Sequence, residues 1–332
     1  MAIATELIER FARDLDARVA RDARIGLAVS GGADSVALLL LAAETRPQSI
    51  QVATVDHKLR PESADEARFV ADICANLEVS HQIVEVEWTE KPESGLQEQA
   101  RNARYRLLGD WTRTNGLSAL LTAHHADDQA ETFLMRASRG AGIKGLAAMR
   151  PVAPIPGGAA GGGAKLVRPL LGWRHSELAS VCEAVGIVPV ADPSNEDELF
   201  ERVRVRRALA DMPWLDPLAV SRSATHLASA DSALHWATTQ AWDQRAIVEA
   251  GEVRFDPAGL PDEILRRFAR RAVLRLATEG AGADLRGGEL DQLLPVLRSG
   301  KRATLRGVVC SGGKIWRFIP APNRTRRTRG IR

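Results

Sequence analysis

The sequence predicts an α/β protein, with a parallel sheet covered by helices on both faces in a Rossmann-like arrangement and a mostly helical region after it. Three observations lead there. Short apolar runs alternate with amphipathic helical patterns through the first half of the chain. A glycine turn links the first apolar run to the first of these helices. Pro213 and Pro217 then end a helix, and helical spacing dominates the chain after them. The expected domains are residues 1–213 and 214–332.

Taken in order, Ile25 to Val29 is a short apolar run, and the run Val36 to Leu41 comes after the glycine turn. Ile50 to Val55 is a second strand, ending at Asp56-His57. Glu62 to Leu77 fits a helix, and His81 to Trp88 alternates as a third strand. Leu96 to Asn115 is a long helix with Ala100, Ala103, Leu107 and Trp111 on one side. Ser118 to Thr122 is a fourth strand, and Asp127 to Ser138 another helix. The stretch Pro154 to Gly163 cannot build a core and is expected as a surface loop. Val167 to Leu171 and a helix from His175 resume the earlier pattern. Helix is expected to about Ala250, with strand-like pieces at Ala303 to Val309 and Lys314 to Ile319.

Composition limits the classes of function. The chain has 332 residues, 45% hydrophobic and 26% charged, as expected of a globular protein. No apolar run reaches the roughly 20 residues that a membrane helix needs. The first residues lack the basic start and apolar centre of a secretory signal, so a cytoplasmic address is expected. Cys74, Cys182 and Cys310 stand far apart, which leaves no CxxC pair and no zinc ribbon. Net charge is only +3, but five arginines fall within Arg324 to Arg332. In PDEILRRFARRAVLRL, Leu265, Phe268, Ala272 and Leu276 form one stripe, while Arg266, Arg267, Arg270, Arg271 and Arg275 lie largely elsewhere. Such a face suits a membrane, an acidic protein or nucleic acid, or plain solvation.

The strongest chemical signal is Ser30-Gly31-Gly32-Ala33-Asp34-Ser35. It comes after a strand and opens a helix. Glycines allow a tight turn that points N–H groups inward, and the helix N-terminus adds partial positive charge. Together they form a phosphate cradle. No Walker lysine is present, so another device must offset phosphate charge, and Asp34 can do so by holding Mg²⁺. Asp56 ends the neighbouring strand, where a nucleoside can sit. Arg101 and Arg104, at i and i+3, share a helix face suited to phosphate or other acidic groups. The segment Thr122 to Thr132 leaves the fourth strand and enters a helix. Asp128 and Glu131 share a face there, close in sequence to His124, and either acid can take a proton from an amine or bind its charged form. A zinc site is not expected here, since HExxH is absent and no cysteine is close.

With these motifs the chain resembles the PP-loop superfamily, the N-type ATP pyrophosphatases. Its members cleave ATP between the α and β phosphates and form an adenylated intermediate. The resemblance implies that the cradle from Ser30 to Ser35 binds the pyrophosphate part of ATP. Further motifs narrow the resemblance: Val55 to Arg60, Ala100 to Tyr105, Thr122 to Thr132, Leu134 to Arg136, Arg139 to Gly142, Gly145 to Met149, Arg168 to Leu171, and Asp192 to Asp197 with Phe200, Arg202, Val205 and Arg206. In this order, from about Arg24 to Leu209, they resemble the tRNA(Ile)-lysidine synthetase family. Val203 stands where that family's RNxIR pattern carries asparagine.

The resemblance implies an ATP-dependent ligase that joins L-lysine to the wobble cytidine of an isoleucine tRNA with a CAU anticodon. The cytidine C2 oxygen attacks the α-phosphate and pyrophosphate leaves. The lysine ε-amine then attacks C2 and AMP departs. ATP and Mg²⁺ are the implied cofactors, and Asp34, Arg101, Arg104, His124, Asp128 and Glu131 the implied catalytic set. A homodimer is compatible with the sequence. The alternatives are a tRNA sulfurtransferase on the same loop, which would want paired cysteines, a glutamine-fed amidotransferase, and a non-catalytic RNA-binding protein.

Overall fold

A computed structural model describes residues 2–59, 62–88, 95–157, 163–190, 201–277, 285 and 287–322. Arg60, the Asp192 to Asp197 motif with Phe200, the middle of the glycine-rich stretch and the Arg324 to Arg332 tail lie outside them. Two compact units form, one up to Ala228 and one from Ser229 on, with the short piece Ala141–Ile143 grouped with the second.

The first unit runs α1 (Thr5–Asp16), β1 (Ile25–Ala28), α2 (Ala33–Thr45), β2 (Ile50–Asp56), α3 (Ser63–Asn76), β3 (Ser80–Glu85), α4 (Leu96–Thr114), β4 (Ala119–Leu121) and α5 (Ala126–Ala137). Next come α6 (Ile143–Leu146), β5 (Val152–Pro154), β6 (Lys165–Val167), α7 (His175–Val185), α8 (Glu201–Ala210) and α9 (Pro217–Arg245), which continues into the second unit. Its sheet has the order β3-β2-β1-β4-β6-β5. All pairs are parallel except β5 with β6. The expected parallel sheet is therefore present, with an antiparallel strand added at one edge. The glycine-rich stretch connects the two strands of that edge hairpin.

Side chains alternate between two cores, as strand periodicity requires. Ile25, Leu27, Ala119 and Leu121 join Phe11, Leu15 and the apolar residues of α2 and α7 in one. Leu120 and Leu166 join Tyr105, Leu108 and Trp111 of α4 in the other. Gly26 lies under Trp111, and a Cβ there would come 2.5 Å from the indole ring. The glycine is what allows α4 to lie this close to β1.

Strand order sets the location of the site. From β1 the chain moves outward to β2 and β3, then crosses over to β4 on the other side of β1. The order reverses between β1 and β4, and in such sheets the crevice at the carboxyl ends of the strands beside this switch point is where ligands bind.

The second unit comprises the rest of α9, then β7 (Ile247–Glu249), β8 (Glu252–Phe255), α10 (Asp262–Leu276), α11 (Gly287–Arg298), β9 (Arg302–Leu305), β10 (Val308–Ser311) and β11 (Trp316–Pro320). Beside the helices stands a five-stranded sheet ordered β7-β8-β11-β10-β9 and antiparallel throughout. One of its faces is buried: Val253, Phe255, Val308, Cys310, Trp316 and Phe318 share a core with Phe268 and Trp242. Helix gives way to strand before Ala250, because Ile247 and Val248 pair with β8 across a turn at Gly251. The piece Ala303 to Val309 is split into two strands by Arg306-Gly307, both at positive φ. Among the described residues no helix is long and apolar enough to cross a membrane.

Candidate active site

The cradle forms between β1 and α2. Gly31 takes φ of +93°, a conformation that side-chain-bearing residues rarely adopt. Ser35 Oγ donates to Gly32 O at 2.9 Å and accepts from the Ser30 backbone N–H at 3.1 Å, closing the turn on itself. From α7 and the residues just after it, the Cys182 thiol contacts Ala33 O and the Val190 N–H donates to Gly31 O at 3.0 Å. The expected strand–turn–helix context of Ser30 to Ser35 is present.

Asp34 lies in the first turn of α2 and faces two histidines. Its Oδ1 is 2.8 Å from His175 Nδ1 and its Oδ2 is 3.4 Å from His125 Nε2. Burial opposes ionisation of Asp34, but hydrogen bonds from His125 and His175 outweigh it and hold the carboxyl well below its usual range. His125 precedes α5 and is buried. Desolvation works against its charge, yet Asp127, Asp34 and Asp128 together push the imidazole up to about 10. His125 Nδ1 lies 3.3 Å from Asp127 Oδ2, an ion-pair contact short of an aligned hydrogen bond. His175, at the start of α7, is shifted up mainly by its bond to Asp34.

Asp128 and Glu131 lie on one face of α5, as their spacing predicts, and both are buried. Asp128 Oδ2 accepts the His125 backbone N–H at 3.0 Å, capping the helix. Its Oδ1 pairs with Arg202 of α8. Glu131 is held by both Arg202 and Arg206, the latter at 2.7 Å. The strip Arg202 to Arg206 thus docks α8 on α5 through two acids. Val203 is buried within that strip.

A second, basic cluster borders this one. His124, bonded to Thr122 Oγ1 at 3.0 Å, is held neutral by burial and by Arg168, Arg104, Arg202 and Arg101. Arg101 and Arg104 both lie over the Tyr105 ring. Among the described residues, the buried Nε atoms of Arg104 and Arg168 have no hydrogen-bond partner. Unpaired buried guanidinium donors favour an anion.

Not every expected residue opens to the crevice in the same way. The Oδ1 of Asp56 accepts the Lys58 N–H and the Ser63 hydroxyl, so this oxygen organises the turn after β2. The Gly145 to Met149 motif is structural: Gln129 exchanges two hydrogen bonds with Met149, and Arg136 donates to Gly145 O and Ala148 O. Sequence reasoning missed His125, His175 and Asp127. The signal for His175 was a helix start just after a strand of the same sheet, which places it at the crevice.

A glycine cradle between strand and helix at the switch point, with an acid–histidine cluster beside it, is the arrangement of a PP-loop, ATP-using enzyme, and the family match bears this out. The PP-loop domain family matches residues 4–212. The chain is 45% identical over 300 residues to the tRNA(Ile)-lysidine synthase of Novosphingobium aromaticivorans, covering 90% of this chain and 89% of that one. It is 44% identical over 302 residues to the tRNA(Ile)-lysidine synthase of Zymomonas mobilis, covering 91% and 89%. The chain belongs to the tRNA(Ile)-lysidine synthase family. Its fold is also that of the U34-tRNA thiolase NcsA from Methanococcus maripaludis, with a TM-score of 0.54 at 16% identity, covering 67% of this chain and 79% of that one.

Proposed function

We propose that the chain joins L-lysine to the wobble cytidine of a CAU-anticodon isoleucine tRNA, forming lysidine in two substitutions at one crevice. The Ser30 to Ser35 cradle holds the β and γ phosphates of ATP through backbone N–H groups. The cytidine C2 oxygen attacks the α-phosphate, and pyrophosphate departs into the cradle. The lysine ε-amine then attacks C2, and AMP leaves. Asp128 and Glu131 attract the lysine ammonium in competition with Arg202, and one of them takes the proton that the amine must lose before attack. Arg101 and Arg104, beside Arg168, hold anionic groups of the substrates.

A divalent cation, when bound, offsets the charge of the phosphates. Mg²⁺ on phosphate and water oxygens would need only Asp34 from the protein. The imidazoles on both sides of Asp34 favour a softer ion. Arginines of the second unit and the tail Arg324 to Arg332 supply phosphate contacts that position the tRNA.

One observation carries this reading: His125 Nε2 lies 3.4 Å from Asp34 and 3.5 Å from Asp128, so the phosphate cradle and the acid cluster share one crevice. Mass spectrometry of an isoleucine tRNA transcript, incubated with enzyme, ATP, Mg²⁺ and lysine, tests it. The expected result is a mass gain at the anticodon of one lysine less one water. Pyrophosphate release that ignores lysine, with no mass gain, would overturn it.

A further inference from the structure

We infer that Asp34, His125 and His175 form a site for a single transition cation of the Co²⁺ or Zn²⁺ type, beside the phosphate cradle. The inference deepens the ATP-dependent reading of this crevice and rests on it only for what completes the ion's shell.

One carboxylate and two imidazoles each place a ligand atom within 4.8 Å of the others. The Asp34 oxygens stand 2.8 Å from His175 Nδ1 and 3.4 Å from His125 Nε2. Ligand atoms sharing a tetrahedral zinc at about 2.0–2.2 Å would stand about 3.4 Å apart. The side chains therefore need only small rotations to close on an ion. Mg²⁺ demands oxygen ligands, whereas imidazole nitrogen suits zinc and its neighbours. Two of the three donors here are imidazole nitrogens.

The surroundings of His125 support the same assignment. A metal-bound histidine commonly directs its second ring nitrogen at a carboxylate, which orients the ring and raises its basicity. His125 Nδ1 faces Asp127 Oδ2 at 3.3 Å while Nε2 faces Asp34. Asp127 is itself held, accepting from Arg174 Nε at 3.1 Å and from the His175 backbone N–H at 2.9 Å. The start of α7 is thereby tied to the start of α5, and the two imidazoles sit 5.6 Å apart between ring centres. Asp128 Oδ2, 3.5 Å from Nε2, adds negative charge that a cation would meet. An arriving ion replaces the ring protons that these carboxylates otherwise attract, and the protons pass to solvent. Three protein ligands leave a fourth position open, which a phosphate oxygen can take.

The test uses the full chain, stripped with a chelator and kept free of ATP and tRNA. Titration with Co²⁺ should give one ion per chain with the visible absorption of a four-coordinate centre. Zn²⁺ should displace it, and a large excess of Mg²⁺ should not. His175→Ala should weaken Co²⁺ binding by about tenfold or more, and Asp127→Asn by about 10–100-fold. The exposed His226 on α9 provides a control, whose replacement by Ala should change nothing. Circular dichroism checks folding, and His175→Gln substitutes if His175→Ala misfolds. Equal binding by wild type and both His175 variants, or displacement by Mg²⁺ at matched concentration, would show an ion-pair network only and overturn the inference. Lysidine formation is assayed separately. Its failure with the Co²⁺ site intact would overturn the proposed reaction and leave the metal site standing.

Discussion

Arg206 Nε lies 2.7 Å from Glu131 Oε1, joining residues 75 positions apart, and Arg202 takes the other oxygen of the same carboxylate. Glu131 is 1% exposed, so its charge is compensated almost entirely by these two guanidinium groups. Glu131→Gln would leave both arginines without their shared counter-charge. Because the arginines remain partly in water, the expected loss of stability is about 1–3 kcal/mol, below the cost of breaking a fully buried pair. Urea denaturation checks this. Unchanged stability with slowed lysine transfer would instead assign Glu131 a purely chemical role.

Asp128 is the more open of the two acids to kinetic analysis. Asp128→Asn keeps an oxygen that can accept the His125 N–H but loses the charge that pairs with Arg202 or an ammonium. Adenylated tRNA should form and persist, with slow lysine transfer. Rapid-quench separation of the adenylated intermediate from the lysylated product measures both steps. Wild-type transfer rates would move the base elsewhere, with His124 the next group to replace.

Asp34→Ala should abolish pyrophosphate release in the presence of tRNA and lysine while leaving the fold intact. Asp34 is part-exposed at the first turn of α2 and makes its described contacts to His125 and His175, not to the core. Normal pyrophosphate release by a folded variant would remove Asp34 from the ATP site.

The paired arginines of α10 and those of the tail Arg324 to Arg332 should behave differently. Arg267 pairs with Asp231 and Glu263, Arg266 with Asp291, and Arg271 lies over Trp242. Arg267→Ala should cost about 1–3 kcal/mol of stability and barely alter the salt dependence of tRNA binding. Deleting Arg324 to Arg332 should do the reverse. Removing one phosphate-binding arginine should lower the salt slope by about one unit at most. Filter binding across a salt series, beside thermal melts, separates the two.

All three cysteines should resist alkylation in the native state. Burial pushes the Cys74 and Cys310 thiols up to about 12, and burial with Asp34 nearby pushes Cys182 up to about 11. Thiolate is the reactive form, so iodoacetamide at pH 8 should label them only after unfolding. The same shifts make stability depend on pH. The unfolded chain loses these protons near 9.0, while the folded chain keeps them to about 11–12. Their contribution is therefore complete below 9 and declines as pH rises through that window. Rapid labelling of the folded chain would reopen a sulfur-carrying role.

Much of the first unit is legible in the sequence, because both the alternation of apolar runs and the glycine cradle are local signals. The helix α4 begins at Leu96 as its spacing indicates, and Asp128 and Glu131 share the face that three-residue spacing assigns them. What local signals could not convey was pairing over distance. Nothing near Asp128 announces Arg202, and nothing near Asp34 announces His175. The antiparallel hairpin of β5 and β6 was hidden for a related reason, since a glycine-rich connection carries no pattern that sets strand direction. In the second unit, Arg306-Gly307 is a weaker hairpin signal than Asn-Gly, so two strands merged into one.

The hydrogen bond from the Val190 N–H to Gly31 O has a consequence for biosynthesis. The cradle leaves the ribosome well before His125, His175, Cys182 and Val190, which hold it. A nascent chain can form β1 and α2 early without gaining a finished nucleotide site. The contacts that brace the cradle are complete only when the chain through Val190 has been made, so a ribosome stalled midway carries β1 and α2 without them.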